Sequence, residues 1–182
     1  MMCLCRGQPS WRKPSSNLLQ RKSTLMAEII YRRATAADQK IIRAIIREAD
    51  INPLGLKWQN FLLAEDAGQV VATGQIKAHS DGSHELASIA TRPTHQKRGL
   101  ASQIVRRLMK HYSQQTREPL YLFCGNHNVS FYERFGFVEI KRPNMPPYFK
   151  RISQLSSLLE AFAREGQRLV VMKWENATEP EA

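Results

Sequence analysis

The sequence predicts one α/β domain in which strands and helices alternate along a chain of 182 residues. Three observations lead to this prediction. From residue 28 onward, short β-branched or apolar runs alternate with segments whose apolar residues recur at helical spacing. The length suits one domain with a substantial apolar core. No apolar run approaches the roughly 18 residues that a membrane-spanning helix needs, so we expect no membrane association.

The first predicted elements are a short strand and an amphipathic helix. Residues 28–33 form a β-branched run, and Thr35 with Asp38 gives the pattern of a capping box at a helix start. The isoleucines within residues 41–46 then share one helical face. Residues 52–60 contain Pro and Gly, which predict a short helix or an irregular loop.

Three strands are predicted next, at residues 61–64, 69–78 and 84–91. A turn at Ala67-Gly68 joins the first two into a hairpin, and a second turn spans residues 80–83. Pro93 ends the third strand because proline cannot donate to a strand ladder. The centre of the chain is therefore predicted to be a run of adjacent strands.

The second half alternates again. Apolar residues from Leu100 onward recur at helical spacing, and residues 120–124 form a compact apolar run typical of a buried strand. Residues 131–135 predict a short helix that Gly136 ends. A Pro-rich loop, an amphipathic helix and a closing strand follow, at residues 141–149, 155–162 and 168–174.

We expect residues 28–175 to form the domain, between tails at residues 1–27 and 176–182. The first tail holds five basic and no acidic side chains and lacks the apolar stretch of a secretory signal. A disordered tail upstream of a true start at Met26, an organellar transit peptide and a nucleic-acid-binding arm all remain open.

Charge and cysteine usage constrain partners and compartment. The formal charge is +11, and +6 remains on residues 28–182 once the five basic side chains of the tail are removed. Such a surface suits any anionic partner, but without a recognition helix or interleaved aromatics we expect no nucleic acid. The three cysteines fit no disulfide framework, which indicates a reducing, cytoplasmic location, or an organelle if the tail is a transit peptide.

A basic loop separates the third strand from the following helix. Residues 96–102 read Gln-Lys-Arg-Gly-Leu-Ala-Ser. The start of a helix presents unpaired N–H groups and a positive dipole end, which suit a pyrophosphate, and Gly99 allows close approach. Lys97 and Arg98 add positive charge. From the residues alone, the loop is either an anion site or simply a helix start, and the glycine patterns of ATP and dinucleotide sites are absent.

A second motif follows about thirty residues later, where residues 131–137 read Phe-Tyr-Glu-Arg-Phe-Gly-Phe. Together, in this order, the two motifs resemble the Gcn5-related N-acetyltransferase (GNAT) superfamily. The first is similar to its Gln/Arg-x-x-Gly-x-Gly/Ala pyrophosphate loop, and the second to its Tyr-containing helix and Gly-Phe strand start. Ala101 stands where many relatives have Gly. The resemblance covers about residues 29–140.

The resemblance implies a mixed, twisted sheet of about six to seven strands with helices on both faces. The sheet would be splayed between two central parallel strands, residues 84–91 and 120–124, with acetyl-CoA as acyl donor in the opening. Its pantetheine arm would pair with the backbone of residues 89–91. The residues implied in cofactor binding are Ile89, Ala90, Thr91, Gln96, Lys97, Arg98, Gly99, Leu100, Ala101, Ser102, Asn126 and Asn128.

Catalysis of acyl transfer to an amine needs a base and an acid. An amine acceptor is largely protonated at neutral pH, so a proton must leave before attack, and the departing thiolate benefits from an acid. Glu85 is the candidate base, since a carboxylate within a strand runs against propensity and lies where histone-acetylating relatives carry theirs. Tyr132 occupies the family's tyrosine position and is the candidate acid. The alternative for Glu85 is an exposed strand carboxylate or a partner for a neighbouring cation, and the alternative for Tyr132 is a core tyrosine.

The remaining candidates have structural interpretations. Asn126 or Asn128 either contacts the cofactor or caps a helix. Cys124 fits a buried, inert thiol, and the five histidines show no zinc spacing, so we expect surface or packing roles and no metal. Residues 52–60 and the insertion after residue 140, with its loop at residues 141–149 and the following helix, are expected to flank the acceptor pocket. A plain connection packed on the sheet is the alternative.

The sequence thus predicts an N-acetyltransferase with a small-molecule or peptide amine acceptor, as a monomer or homodimer. A non-catalytic acyl-CoA-binding regulatory protein and a nucleic-acid protein are the alternatives. Peptide termini, lysines, amino acids and aminoglycosides all remain open as acceptors, and acyl length is open as well.

Overall fold

The structure is a computed structural model that describes residues 28–160, with the backbone alone from residue 156, and residues 168–176. The predicted tail at residues 1–27 lies outside the described residues. Asn176, assigned above to the second tail, is buried, and its side-chain amide donates a hydrogen bond to the carbonyl oxygen of Thr116. Asn176 therefore packs against the loop that follows α2.

Four α-helices and seven strands alternate along the chain. The helices are α1 (Gln39–Glu48), α2 (Leu100–Gln115), α3 (Val129–Glu133) and α4 (Pro147–Glu160). The strands are β1 (Ile30–Arg33), β2 (Phe61–Asp66), β3 (Gln69–Ala78), β4 (His84–Thr91), β5 (Leu120–Gly125), β6 (Val138–Glu139) and β7 (Leu169–Trp174). Within the described residues, no helix is both long and apolar enough to cross a membrane.

The seven strands form one mixed sheet in the order β1-β2-β3-β4-β5-β7-β6. Neighbouring strands are antiparallel except β4 and β5, which are parallel. These two pair only at their first residues, His84 with Leu120 and Glu85 with Tyr121. Beyond Glu85 the two strands diverge, and the sheet splays at its centre. The predicted fold class is thus confirmed.

Helices cover both faces of the sheet. The isoleucines Ile42, Ile45 and Ile46 of α1 pack with Phe61 and Leu63 against one face. The predicted apolar side of α2 packs against the other face, through Leu100, Ile104, Val105, Leu108, Met109 and Tyr112. A strand directs alternate side chains to opposite faces, which is why β2 contributes to both cores.

Gly74 of β3 allows α2 to lie close to the sheet. A Cβ atom at this position would lie 2.5 Å from Ile104 Cγ2 and 2.6 Å from Ile89 Cδ1, closer than side chains approach in folded proteins. Only a residue without a side chain fits between β3 and α2. Gly74 therefore sets the distance of α2, and of the loop before it, from β4.

The start of α1 is held by the predicted capping box, within a larger ionic network. Asp38 Oδ2 accepts hydrogen bonds from the Thr35 backbone N–H at 2.7 Å and its hydroxyl at 2.8 Å. Arg32 donates to both oxygens of Asp38, and to Glu65 on β2 at 2.7 Å. The Arg32 guanidinium holds the pKa of the Asp38 carboxyl well below its usual range. The network joins β1, β2 and the α1 start.

Candidate active site

Two cavities lie one after the other along β4. The larger, of about 710 Å³, lies in the opening between the diverging β4 and β5, and its lining includes Glu85, Ile89 and Tyr132. The smaller, of about 430 Å³, begins at Thr91 and extends over the loop before α2. Since both share β4 as a wall, they form a groove suited to an elongated ligand.

The smaller cavity has several features of an anion site. Its lining includes Gln96, Lys97 and the first residues of α2, Leu100, Ala101 and Ser102. The N–H groups of a first helical turn have no partner within the helix, and the helix dipole adds positive charge there. Gly99 has a φ of 77°, in the left-handed region, and nothing lies within 4 Å of the position a Cβ would take. The loop thus leaves open space beside the helix start.

Thr91 and Gln96 are in contact at the end of β4, in the wall of the smaller cavity. The Gln96 side-chain amide donates to the Thr91 carbonyl oxygen at 3.3 Å, which fastens the loop to the end of β4. The Thr91 hydroxyl oxygen is buried and has no partner among the described residues. Buried polar groups normally have a partner, so this hydroxyl fits contact with a ligand.

Two predicted cofactor residues contribute less directly. Arg98 turns away from the cavity, and its Nη1 donates to Asp66 Oδ2 at 2.8 Å. The structure does not bring this guanidinium to the predicted anion site, because Asp66 of β2 competes for it. Ala90 packs its methyl group in the core beneath α1, which leaves only its backbone for the groove. Arg134, which directly follows α3, and His95 also line the smaller cavity, and neither was predicted to bind the cofactor.

A bulge interrupts β4 in the part of the strand that no longer pairs with β5. The β3–β4 register shifts between Thr73 and Gln75, and Ser88 on the opposite strand has a φ of 56°. The Thr73 hydroxyl donates to the Ser88 carbonyl at 3.2 Å, and the Gln75 amide donates to the Ser88 hydroxyl at 2.8 Å. These buried bonds hold the strained residue. A bulge bends the strand that carries it, which explains why the groove opens here.

Tyr132 lies where the larger cavity meets β5. It is carried by α3, and its ring packs at a right angle to Phe131 and against Phe137. Burial raises the pKa of the Tyr132 hydroxyl, so the group stays protonated over the ordinary pH range. Cys124, also in the cavity lining, is buried, and burial raises the pKa of its thiol to about 11. A buried thiol of this kind is consistent with the structural role predicted for Cys124.

Glu85 is buried in the wall of the larger cavity and is not the exposed strand carboxylate considered above. Its Oε2 lies 2.9 Å from His79 Nε2 and 4.0 Å from Lys77 Nζ. The His79 ring stacks on the Tyr148 ring of α4, with centroids 3.5 Å apart. His79 was expected to have a surface or packing role, and that expectation did not include its contact with Glu85. The spacing of residues in the sequence does not reveal a pairing across a hairpin.

The far end of the larger cavity is formed by the segments that were expected to flank an acceptor. Leu54, Gly55 and Lys57 from the loop before β2 line it, opposite Tyr148 and Ile152 of α4. Asn128 lines the cavity too, and as the residue before α3 it makes no capping bond.

Asn126 lies outside both cavities, and its backbone N–H donates to the Arg168 carbonyl oxygen. The structure therefore brings Asn128, but not Asn126, to the groove. Within residues 28–160 and 168–176, no group of three or more metal-binding side chains occurs.

Comparison with known proteins supports the resemblance. Residues 57–139 match the family described as acetyltransferase (GNAT) domain, and this segment spans β2 to β6. The resemblance given above is thereby confirmed over this segment. A comparison with curated protein sequences finds no match.

Solved structures share the fold. N-acetylglutamate synthase from Neisseria gonorrhoeae, complexed with coenzyme A and N-acetyl-glutamate, has a TM-score of 0.67 and 16% identity, over 84% of this chain and 36% of that one. Rv2747 from Mycobacterium tuberculosis, in complex with CoA, has a TM-score of 0.64 and 19% identity, over 80% and 98%. The ribosomal-protein-alanine N-acetyltransferase of Escherichia coli has a TM-score of 0.61 and 16% identity, over 85% and 97%.

At these identities the likeness is one of fold. The chain spans about a third of the length of the Neisseria synthase, 36% of it. Two of these three neighbours hold coenzyme A.

Proposed function

We propose that the protein transfers an acetyl group from acetyl-CoA to a primary amine by direct attack, through a tetrahedral intermediate. One observation carries the proposal: two cavities follow each other along β4, one over the loop and helix start suited to an anion, and the other lined by the buried carboxylate of Glu85 and by Tyr132. A CoA thioester has its groups in the same order, with phosphates at one end and the reactive carbonyl at the other.

The smaller cavity would hold the pyrophosphate. The backbone N–H groups at the start of α2 and the ammonium of Lys97 would donate to it. The pantetheine arm would extend along residues 89–91, whose backbone groups on the β5 side have no β5 partner, because that pairing stops at Glu85. An extended chain with amide groups can add to an open strand edge in this way.

Acyl transfer to an amine requires removal of a proton. A lysine ammonium titrates near 10.4 and an α-ammonium near 8, so the nucleophilic form is the minority at neutral pH. Glu85 would supply the negative charge that draws this proton away, since its carboxylate lies in the cavity wall. The amine lone pair would then attack the acyl carbon.

Collapse of the tetrahedral intermediate releases a thiolate. Tyr132 would donate its hydroxyl proton to the sulfur, and its raised pKa ensures that the proton is present when needed. Tyr132 lines the cavity beside Cys124 of β5, and Glu85 lines the same cavity from β4, so both side chains would have access to the reacting carbonyl.

The acceptor would enter between the loop before β2 and α4. This end of the cavity combines apolar side chains with charged ones, including Lys57, Lys77 and Asp50. Loops of this kind carry specificity because they vary while the sheet stays fixed.

Turnover tests the proposal. The full chain is incubated with acetyl-CoA and a panel of primary amines comprising amino acids, a lysine peptide, peptides with free N-termini and an aminoglycoside. Thiol release and the mass of the acceptor are followed together. Amine-dependent thiol release with acetylated acceptor supports the proposal. Tight acetyl-CoA binding without acetylation of any amine would favour a regulatory binder.

A further inference from the structure

His79 and Glu85 form a close pair in the wall of the larger cavity. The His79 Nε2 to Glu85 Oε2 distance is 2.9 Å, and their side chains are only 10% and 9% exposed. His79 follows the last residue of β3, and Glu85 belongs to β4, so the hairpin itself brings them together. Both side chains line the cavity in which acyl transfer is proposed.

The imidazole ring is held from several sides. Tyr148 stacks on it with an interplanar angle of 15°, and Phe149 meets it at 89° with centroids 5.8 Å apart. The Tyr148 backbone N–H donates to Asp81 Oδ2 at 2.7 Å, which fastens the start of α4 to the β3–β4 turn. The His79 backbone N–H donates to the Ser83 carbonyl across the same turn. The ring is therefore fixed before any substrate arrives.

The pairing determines the tautomer of His79. An ionised carboxylate only accepts hydrogen bonds, so a neutral imidazole facing Glu85 must carry its proton on Nε2. The lone pair is then on Nδ1, which has no hydrogen-bond partner among the described residues. A carboxylate that orients an imidazole in this manner is a recurring device for building a general base.

We propose that His79 is the catalytic base of the acyl transfer proposed above, and that Glu85 is its positioning residue. The inference rests on that proposed function. The N–H bond of the acceptor ammonium breaks, a bond from Nδ1 to that proton forms, and the freed lone pair attacks the acyl carbon. The imidazolium is stabilised by the Glu85 carboxylate until it releases the proton to solvent.

The match of acidities favours the imidazole over the carboxylate as proton acceptor. A free glutamate side chain titrates near 4.3, an imidazole near 6.5 and an acceptor ammonium near 8 to 10. Proton transfer in the transition state is most effective when the base titrates near the working pH. The imidazole is closer to both the ammonium and neutral pH.

Other charged groups face the pair from each neighbouring element. Lys77 of β3, 4.0 Å from Glu85 Oε2, opposes the imidazolium. Glu85 of β4 and Asp81 of the turn favour it, and the Tyr148 hydroxyl of α4 is neutral, since burial raises its pKa. Two carboxylates and one ammonium thus lie around the ring.

Kinetics of single and double variants test the proposal. His79→Gln and Glu85→Gln are each expected to lower kcat at least tenfold, with the KM for acetyl-CoA within twofold of wild type. Because the two act as one unit, the double variant is expected to be no slower than the slower single variant. The acidic limb of the wild-type pH profile should disappear in His79→Gln. His111→Gln, an exposed histidine on α2, is the matched control.

The outcomes separate the two proposals. Full turnover by His79→Gln, alongside a loss in Glu85→Gln, would overturn the role of His79 and leave acyl transfer intact. No amine-dependent turnover by wild type would overturn both. Nitrogen-15 NMR of the histidine rings adds a readout that does not depend on turnover: Nε2–H is expected in wild type, with a mixture of tautomers in Glu85→Gln. An Nδ1–H tautomer in wild type would overturn the inference, even if a variant failed to fold.

Discussion

Arg98 donates a hydrogen bond of 2.8 Å from Nη1 to Oδ2 of Asp66, so its charge is directed to β2 and not into the anion cavity. The neighbouring Lys97 lines that cavity. Two adjacent basic residues, indistinguishable by charge in the sequence, thus have different surroundings.

Lys97→Gln is therefore expected to weaken binding of desulfo-CoA about tenfold, or about 1.4 kcal/mol, because a charge-assisted contact is lost. Arg98→Gln is expected to leave the dissociation constant within about threefold of the wild-type value, because Arg98 is paired with Asp66 outside the cavity. Loss of an exposed ion pair changes the free energy by only about 0.5 kcal/mol. Isothermal titration calorimetry with desulfo-CoA measures the dissociation constants of both variants and of wild type. The reverse order of effects would contradict the assigned roles.

Gly99→Ala tests the close approach at the helix start. A Cβ at a φ of 77° strains the backbone, and we expect a loss of about 1 kcal/mol in stability together with weaker CoA binding. Gly68→Ala is the control, since Gly68 has a φ of 79°, equally open surroundings and a position in the β2–β3 turn. Equal effects of the two substitutions on CoA affinity would rule out a specific role for Gly99.

Tyr132→Phe is expected to lower kcat at least tenfold, a change of about 1.4 kcal/mol, with little change in acetyl-CoA affinity. Burial raises the Tyr132 pKa above its usual value of 10.0, so loss of this proton should reduce kcat only above about pH 10. Steady-state rates of wild type and variant from about pH 6 to about pH 11 measure both effects. Tyr31→Phe on β1 is the control, and an unchanged rate in Tyr132→Phe would remove the tyrosine from the mechanism.

Asp38→Asn is expected to destabilise the fold by about 2 kcal/mol at pH 7, because Arg32 loses its buried partner. The folded-state pKa of Asp38 lies below its ordinary value of 3.8, so its stabilising contribution is present above that pH and is lost as the pH falls. Thermal unfolding is measured at pH 7 and below pH 3. The difference in stability between wild type and variant should be smaller at the lower pH. The exposed Glu48→Gln serves as control, and a difference that grows in acid would contradict the assignment.

Most periodic features were read correctly from the sequence, but α4 begins at Pro147, inside the predicted Pro-rich loop and before the predicted helix start at residue 155, since proline is favoured at the first helical position. The predicted bounds of β3 and β4 agree with the structure, because alternation and turn residues such as Gly68 act locally. Helix α3 begins at Val129, two residues before the predicted start. It continues directly from a 3₁₀ turn at Asn126–Asn128, whose composition does not mark the start of a helix. The closing strand also matches, except that β7 begins at Leu169.

The site was only partly predictable. Motifs placed Gly99, Tyr132 and Glu85 on the walls of one groove, because each belongs to a local pattern or to the family resemblance. The contacts that decide their chemistry join residues far apart in sequence. Arg98 meets Asp66 32 residues away, and Tyr148 reaches Asp81 across 67. No local pattern records such pairings.

Thermal unfolding of the full chain with acetyl-CoA tests the central claim, that the groove along β4 is an acyl-CoA site. At a hundredfold excess over the dissociation constant, binding adds about 2.7 kcal/mol, and each kcal/mol raises the Tm of a domain this size by about 2–4 °C. We predict a rise of several degrees with acetyl-CoA and desulfo-CoA, and none with ATP. An unchanged Tm at every concentration of acetyl-CoA, or an equal rise with ATP, would contradict the claim.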